Sequence, residues 1–581
     1  MPPNLRGWHA AGQTWLVWTA EPGVEEPEGY EVYASRSPDL AGAVRIGRVL
    51  PADWQARRAR EIFKRDDLTW RIPDGRGGTY TLGAEEALFV HTPHEAVREW
   101  LSVVRAGETR LSVSEAVAVD QTTEPVEAHL QSIWRDEEGH TAHHFAHWTD
   151  GRACWTDARA DYPVMGNADF HGTAHLFAVW EPLGGAPPLA PAVFCLHWRK
   201  GHYNTWRPMS RLSLDLRLDG VRGLLVSVDD WLWLIDGEGA VRGEHTRWAG
   251  YAEGFERFNP RRRAPEAASD RLILYSCARV DWVRGWVMRR FGADPRRSTV
   301  LGYSMGSAGA HQQVVYRPES WAASAHFEGP VEAAEADLFE GELACLLTGS
   351  GEAGLPVNLP DSCRALGPST WPRLYRPHWR CSAPDLPVAR YVWGGNDRAV
   401  PWDSGKHRAI DLLEGCRRGA AVFWDERNHR IEGWNEPAFE GAPVPRWSST
   451  PGIATIEPLT RHRADRSFPA FSRDEHSDND VTAPWGTRNG YFDWDPETLE
   501  DEPDGWAATL LVSGVEAATA DVTLRRAQRF RPAPGTALRW EVRREGILLD
   551  QGEVTVDEYG EVTIPGVTVT SPTRLTVRLP S

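Results

Sequence analysis

The segment 298–311, STVLGYSMGSAGAH, passes from an apolar run into small residues through Gly302-Tyr303-Ser304-Met305-Gly306. A chain that turns from strand to helix this sharply needs small neighbours, and it holds the middle side chain out on a strained backbone, as a nucleophile requires. A serine hydroxyl attacks poorly at neutral pH unless a base removes its proton during the attack. Two downstream residues supply the missing parts. Asp397 lies in YVWGGNDRAVPW, on a turn made by Gly394, Gly395 and Asn396, and His429 lies in AVFWDERNHRIEGW. Each follows a strand-like run, in the chain order serine, acid, histidine. In this pattern Asp397 would hold the imidazole tautomer, and His429 would take the serine proton and return it to a leaving group.

Other residues compete for these roles. Asp403 reads as the N-cap of the helix SGKHRAIDLL, His407 as a residue on the exposed face of that helix, and Asp425 as the lead-in to the histidine loop. His326 follows the strand after the elbow, where a buried, hydrogen-bonded role is expected. An acyl oxyanion would need two donors. One is the N–H of Met305, at the start of a helix where the dipole favours negative charge. The other is assigned to the N–H of Trp198 in CLHWRKGHY, and each would contribute roughly 3 kcal/mol to the transition state. Trp198, Trp206, Trp231, Trp233, Trp248 and Trp402 fall in loops at or after strand ends. Flat aromatic walls suit sugars or aryl esters. His197, Tyr303, Trp231 and Trp402 are therefore the expected substrate contacts, with core packing and loop pinning as the alternative.

These residues must be placed by a sheet. From about residue 140, runs such as PAVFCLHW, GLLVSVDDW, STVLGYS, WAASAHFEG, PVARYVWGG and GAAVFWDER alternate with helical segments. Several are apolar almost throughout, as strands buried on both faces of a parallel sheet should be. Between them ARVDWVRGWVMRRFG carries Val280, Val283, Val287 and Phe291 at spacings of three and four, which makes one helical stripe. The first ~100 residues alternate in short strands, with turns every 8 to 12 positions, as in a small sandwich. Strands return after about 507. The expected layout is a β-sandwich over 1–108, an α/β unit over 109–450 with an insert at 331–386, an acidic linker over 451–506 and a second β-sandwich over 507–581. The fold class is α/β, with a doubly wound, mostly parallel sheet.

Composition narrows the partners. The 581 residues exceed what one core serves, and 41% hydrophobic with 25% charged residues fits globular protein. A net charge of −18 argues against nucleic acid as a partner, since phosphate binding needs a basic face, and disfavours an anionic membrane surface. No apolar run reaches a membrane-spanning length, and no signal peptide is visible at the start. Of 64 basic residues only Lys64, Lys200 and Lys406 are lysines, which reads as coding bias. The seven cysteines form no C-x-x-C pair. Cys363 and Cys381 could pair in a secreted protein, with buried thiols the plainer expectation. No metal or organic cofactor is implied.

With these motifs in hand, residues from about 170 to 440 resemble the α/β-hydrolase superfamily. The helix-to-elbow segment DWVRGWVMRRFGADPRRSTVLGYSMG is similar to that of secreted esterases, depolymerases and prolyl-oligopeptidase-like peptidases. His197-Trp198 stands where esterases carry a His-Gly pair, Ser307 replaces the usual second glycine after the elbow, and an HGGG-type oxyanion loop is absent. The spacing of Trp18, Tyr30, Val32 and Tyr33 resembles a fibronectin type III module. The resemblance implies a serine hydrolase acting on a small-molecule or polymeric ester through an acyl-enzyme. Two alternatives are a prolyl-oligopeptidase-like peptidase and a non-catalytic carbohydrate-binding or adhesion protein. The modular layout suggests an extracellular or periplasmic location, with a cytoplasmic one as the alternative.

Overall fold

The computed structural model describes residues 2–108, 111, 115–151, 161–164, 167–208, 214–215, 222–266, 268–329, 355–357, 385–429, 454–455, 457–476 and 479–580. Almost all of the expected insert 331–386 lies outside these residues, as do Cys363 and Cys381. The described Cys195, Cys277 and Cys416 are buried.

The centre of the molecule is a ten-stranded mixed sheet. Its strands in chain order are β1 His129–Arg135, β2 Thr141–Trp148, β3 Ala174–Glu181, β4 Ala192–Leu196 and β5 Leu224–Val228. They continue with β6 Ser298–Tyr303, β7 Ala323–Phe327, β8 Val388–Gly394, β9 Ala420–Asp425 and β10 Gly486–Arg488. Across the sheet the order is β1-β2-β3-β5-β4-β6-β7-β8-β9-β10. The pairings from β5 through β9 are parallel, and antiparallel strands close both sides. Strands β4, β5 and β7 are buried along their whole length, which explains why they read as apolar runs without alternation. The helix α1, Tyr275–Phe291, covers one face and buries Val280, Val283 and Val287 as the stripe predicts. Helix α2, Met305–Tyr316, follows β6 directly.

Before this sheet lie a three-stranded and a four-stranded antiparallel sheet, the latter ending in Val117–Gln121 paired with Val97–Arg105. The expected boundary at 108 therefore falls one strand short. Each of these sheets is hydrogen-bonded within the N-terminal segment, yet its core is shared. Trp15 meets Trp148 of β2 edge to face at 5.0 Å. Arg257 Nη2 donates to both carboxylate oxygens of Asp53, at 2.7 and 2.8 Å, across the seam, and both residues are buried.

The stretch 451–506 is no linker. Phe468–Ser472 pairs with Ala518–Arg525, β10 joins β9, and Phe492–Glu502 pairs with Gly505–Val512. Its acidic composition hid the alternation that makes it a strand, since Phe492 and Trp494 point into the core. Apart from β10, these strands belong to two antiparallel sheets, of three and five strands, that also hold the C-terminal residues. Arg526 ties this part to the central sheet by donating to the carbonyl of Trp321 at 2.8 Å. No helix among the described residues is long and apolar enough to cross a membrane.

Candidate active site

Strand β6 ends at Tyr303, and Ser304 then takes φ 55° and ψ −122° before α2 begins. A non-glycine residue at positive φ is strained and persists only where its surroundings impose it. Here they do. The Ser304 N–H donates to the carbonyl of Phe327 in β7 at 2.8 Å. A Cβ at Gly302 would lie 1.9 Å from the Gly306 carbonyl oxygen, and one at Gly306 would lie 2.1 Å from that of Leu196. Only glycines let α2 start this close to the ends of β4 and β6.

Three strand ends bring the predicted side chains together. The Ser304 Oγ is 2.9 Å from His429 Nε2, and His429 Nδ1 is 2.7 Å from Asp397 Oδ2. Ser304 and Asp397 are buried, whereas the imidazole is 23% exposed and so reachable from solvent. The other carboxylate oxygen, Oδ1, accepts the N–H groups of Ala399 and Val400 at 2.8 and 2.9 Å. The acid is also tied to the histidine loop, because the Asn396 N–H donates to the carbonyl of Arg427 at 3.1 Å.

Two ionisable groups beyond these three complete the cluster, and neither was legible in the sequence. Lys406 Nζ donates to Asp397 Oδ2 and to Glu328 Oε2, each at 2.7 Å, and all three side chains are fully buried. Glu328 follows β7 at φ 50°, and its Oε2 also accepts the N–H of Gly394 at 2.8 Å. Burial works against both carboxylates. For Asp397 the His429 hydrogen bond and the Lys406 charge outweigh it and hold the acid well below the usual carboxylate range. For Glu328 burial prevails over Lys406 and pushes the acid up to about 8. Carboxylate and imidazole atoms of Glu328, Asp397 and His429 approach within 4.8 Å of one another, a spacing a metal ion could use. The Lys406 ammonium already bridges the two carboxylates and supplies the positive charge there. One sign of Lys406 was available in advance, since it is one of only three lysines in the chain.

The four expected substrate contacts separate. Tyr303 lies beside the site, its hydroxyl donating to the His429 carbonyl at 3.0 Å and its ring 5.6 Å from that of Trp198. His197 is fully buried and is no substrate contact. Its Nδ1 donates to the Trp198 carbonyl at 2.8 Å, its Nε2 accepts the Asp230 N–H at 3.0 Å, and its own carbonyl accepts the Trp248 indole N–H at 3.0 Å. The residue therefore shapes the loop after β4. Trp231 packs at the seam with the N-terminal segment, its ring 3.7 Å from the Arg58 guanidinium carbon. Trp402 leans on Trp424 at 5.8 Å and accepts a hydrogen bond from His407. Asp403 is not an N-cap, because Trp402–Lys406 forms a π-helical turn continuous with the helix His407–Cys416. Such turns are frequent at functional sites. His326 is buried, stacks on Tyr391 at 4.5 Å and bonds Ser324 Oγ at 2.9 Å.

No family description matches the sequence, and no curated protein does. Solved structures show likenesses of low score. One is an S-formylglutathione hydrolase from Agrobacterium tumefaciens, with 15% identity over 52% of this chain and 92% of that one, at a TM-score of 0.34. A fluorophosphonate-binding serine hydrolase of Staphylococcus aureus gives 14% identity over 45% and 89%, at 0.32. An acetyl xylan esterase from Aspergillus awamori gives 12% over 42% and 74%, at 0.26. Scores this low decide nothing about chemistry, which rests here on the side-chain geometry.

Proposed function

We propose that the protein is a serine hydrolase of the α/β-hydrolase type, with flanking β-sandwiches, that cleaves carboxylic esters through an acyl-enzyme. The observation that carries this reading is the continuous run of hydrogen bonds from the strained Ser304 through His429 to an ionised Asp397. His429 Nε2 accepts the Ser304 proton as Oγ attacks the ester carbonyl, and the imidazolium formed is stabilised by Asp397. The same proton passes to the departing alcohol. Water then repeats the sequence on the acyl-serine and releases the acid. The N–H groups of Met305 and Trp198 are the proposed donors to the tetrahedral oxyanion. Support for the second is the close approach of the Leu196 carbonyl to Gly306, which sets the end of β4 against the start of α2.

The substrate is a small-molecule or polymer-borne ester. Turnover of p-nitrophenyl acetate without cleavage of peptide anilides favours the ester over the peptidase reading. Ser304→Ala should abolish labelling by a fluorophosphonate and lower kcat by on the order of 10⁴–10⁶. Labelling that persists in this variant would remove Ser304 from its role. A wild-type protein that neither labels nor turns over ester would leave the binding-protein alternative.

A further inference from the structure

A lysine with no solvent contact is expensive to bury, and it is retained only where paired and fully hydrogen-bonded. Lys406 meets that condition with two carboxylates at 2.7 Å and the carbonyl of Gly394 at 3.5 Å. Its place is specific in one further respect. Asp397 Oδ2, the oxygen that receives Lys406, is the same oxygen that receives His429 Nδ1. The lysine and the histidine thus fix one oxygen from two directions, while backbone N–H groups hold the other.

We propose that Lys406 is a positioning residue of the hydrolytic machinery, which keeps Asp397 ionised and its Oδ2 aimed at His429, with Glu328 as the anchor that holds the ammonium in place. The inference rests on the ester-hydrolase reading and deepens it. The charged and titratable groups facing Asp397 are Lys406 from the π-helical turn, Glu328 from the end of β7 and His429 from the loop after β9. Arg427 and Asp425, at the start of that loop, are paired with each other. Without the ammonium, burial favours protonated Asp397, and a protonated acid no longer accepts the imidazole N–H as an anion. Glu328 Oε2 gives Lys406 its second side-chain acceptor, and a glutamine there would keep an acceptor oxygen in its place.

The test compares wild type, Lys406→Met, Glu328→Gln and the double variant in one ester assay. The double variant removes the lysine and its anchor together, so neither is left buried without its partner. Lys406→Met and the double variant should lose kcat by about 10²-fold with KM little changed, because a misdirected acid acts through the histidine and not through substrate binding. The acid limb of their kcat/KM profile should move upward by about one pH unit or more. Glu328→Gln, which leaves the Lys406–Asp397 contact, should retain activity to within about tenfold of wild type. A spectroscopic check needs no turnover. The low-field proton resonance of His429 Nδ1–H, recorded in the Ser304→Ala background, should weaken or vanish when Lys406→Met is added. A folded double variant with wild-type kcat, pH profile and resonance would overturn the proposal. If the parent reading fails instead, wild type itself is inactive towards ester, and the two failures are distinct.

Discussion

Gly306→Ala tests the geometry on which the proposed oxyanion site depends. A Cβ there would stand 2.1 Å from the Leu196 carbonyl oxygen, 2.7 Å from its carbon and 2.8 Å from the His197 carbonyl oxygen. All three are backbone atoms at the end of β4, so no side chain can swing aside. Restoring ordinary contact of about 3.5 Å demands a separation of more than about 1 Å between this strand end and α2. Trp198 follows directly, and its N–H would be carried away from the elbow. Loss of one oxyanion donor costs about 10²–10³ in kcat, and overpacking costs about 1–3 kcal/mol of stability. The assay is ester turnover alongside thermal unfolding and fluorophosphonate labelling. Turnover should fall far more than the loss of folded protein accounts for, with labelling slowed in parallel. Gly415→Ala serves as control. It lies in a helix with nothing near its missing Cβ, and alanine should stabilise there by about 0.5–1 kcal/mol without affecting turnover. A Gly306→Ala enzyme with wild-type kcat and melting temperature would refute the placement of the β4 end as a wall of the site.

Two further outcomes follow from buried titratable groups. His144 and His311 are buried neutral, held down to about 4 by burial, and His245 and His326 to about 3. Unfolding releases them to protonate near 6.5, so their contribution to stability is present above about pH 6.5 and is lost as pH falls from there towards 4. The melting temperature should drop steeply over that range, and a flat curve from pH 7 to 5 would contradict the assignment. Arg58, from the N-terminal segment, donates to the Gly201 carbonyl at 2.9 Å and to Asp229 at 3.2 Å, and Asp229 lies 3.3 Å from His197. Arg58→Ala should therefore loosen the loop carrying Trp198 and lower kcat about tenfold with little change in KM. Unchanged turnover would show that the N-terminal segment has no hold on that loop.

What the chain determined by itself was local. The elbow was legible because a strand, five residues with small flanks and a helix are contiguous. Asp397 and His429 were legible because each follows a buried strand closely enough for chain order to place it. The strand Phe492–Glu502 was hidden, since its carboxylates dominate the composition while only two aromatic residues report its buried face. Glu328 and Lys406 illustrate the other limit. Neither sits in a motif, and 78 residues separate them. A charge is stabilised in a protein interior only by a partner close in space. The parallel order of β7 and β8, together with one π-helical turn, decides that partner. The same holds for Arg257 with Asp53 and for Arg58 with the loop after β4. Periodicity reveals which face of an element is apolar, but it carries no information about which distant charge that face will meet, because only the sheet order brings the two together.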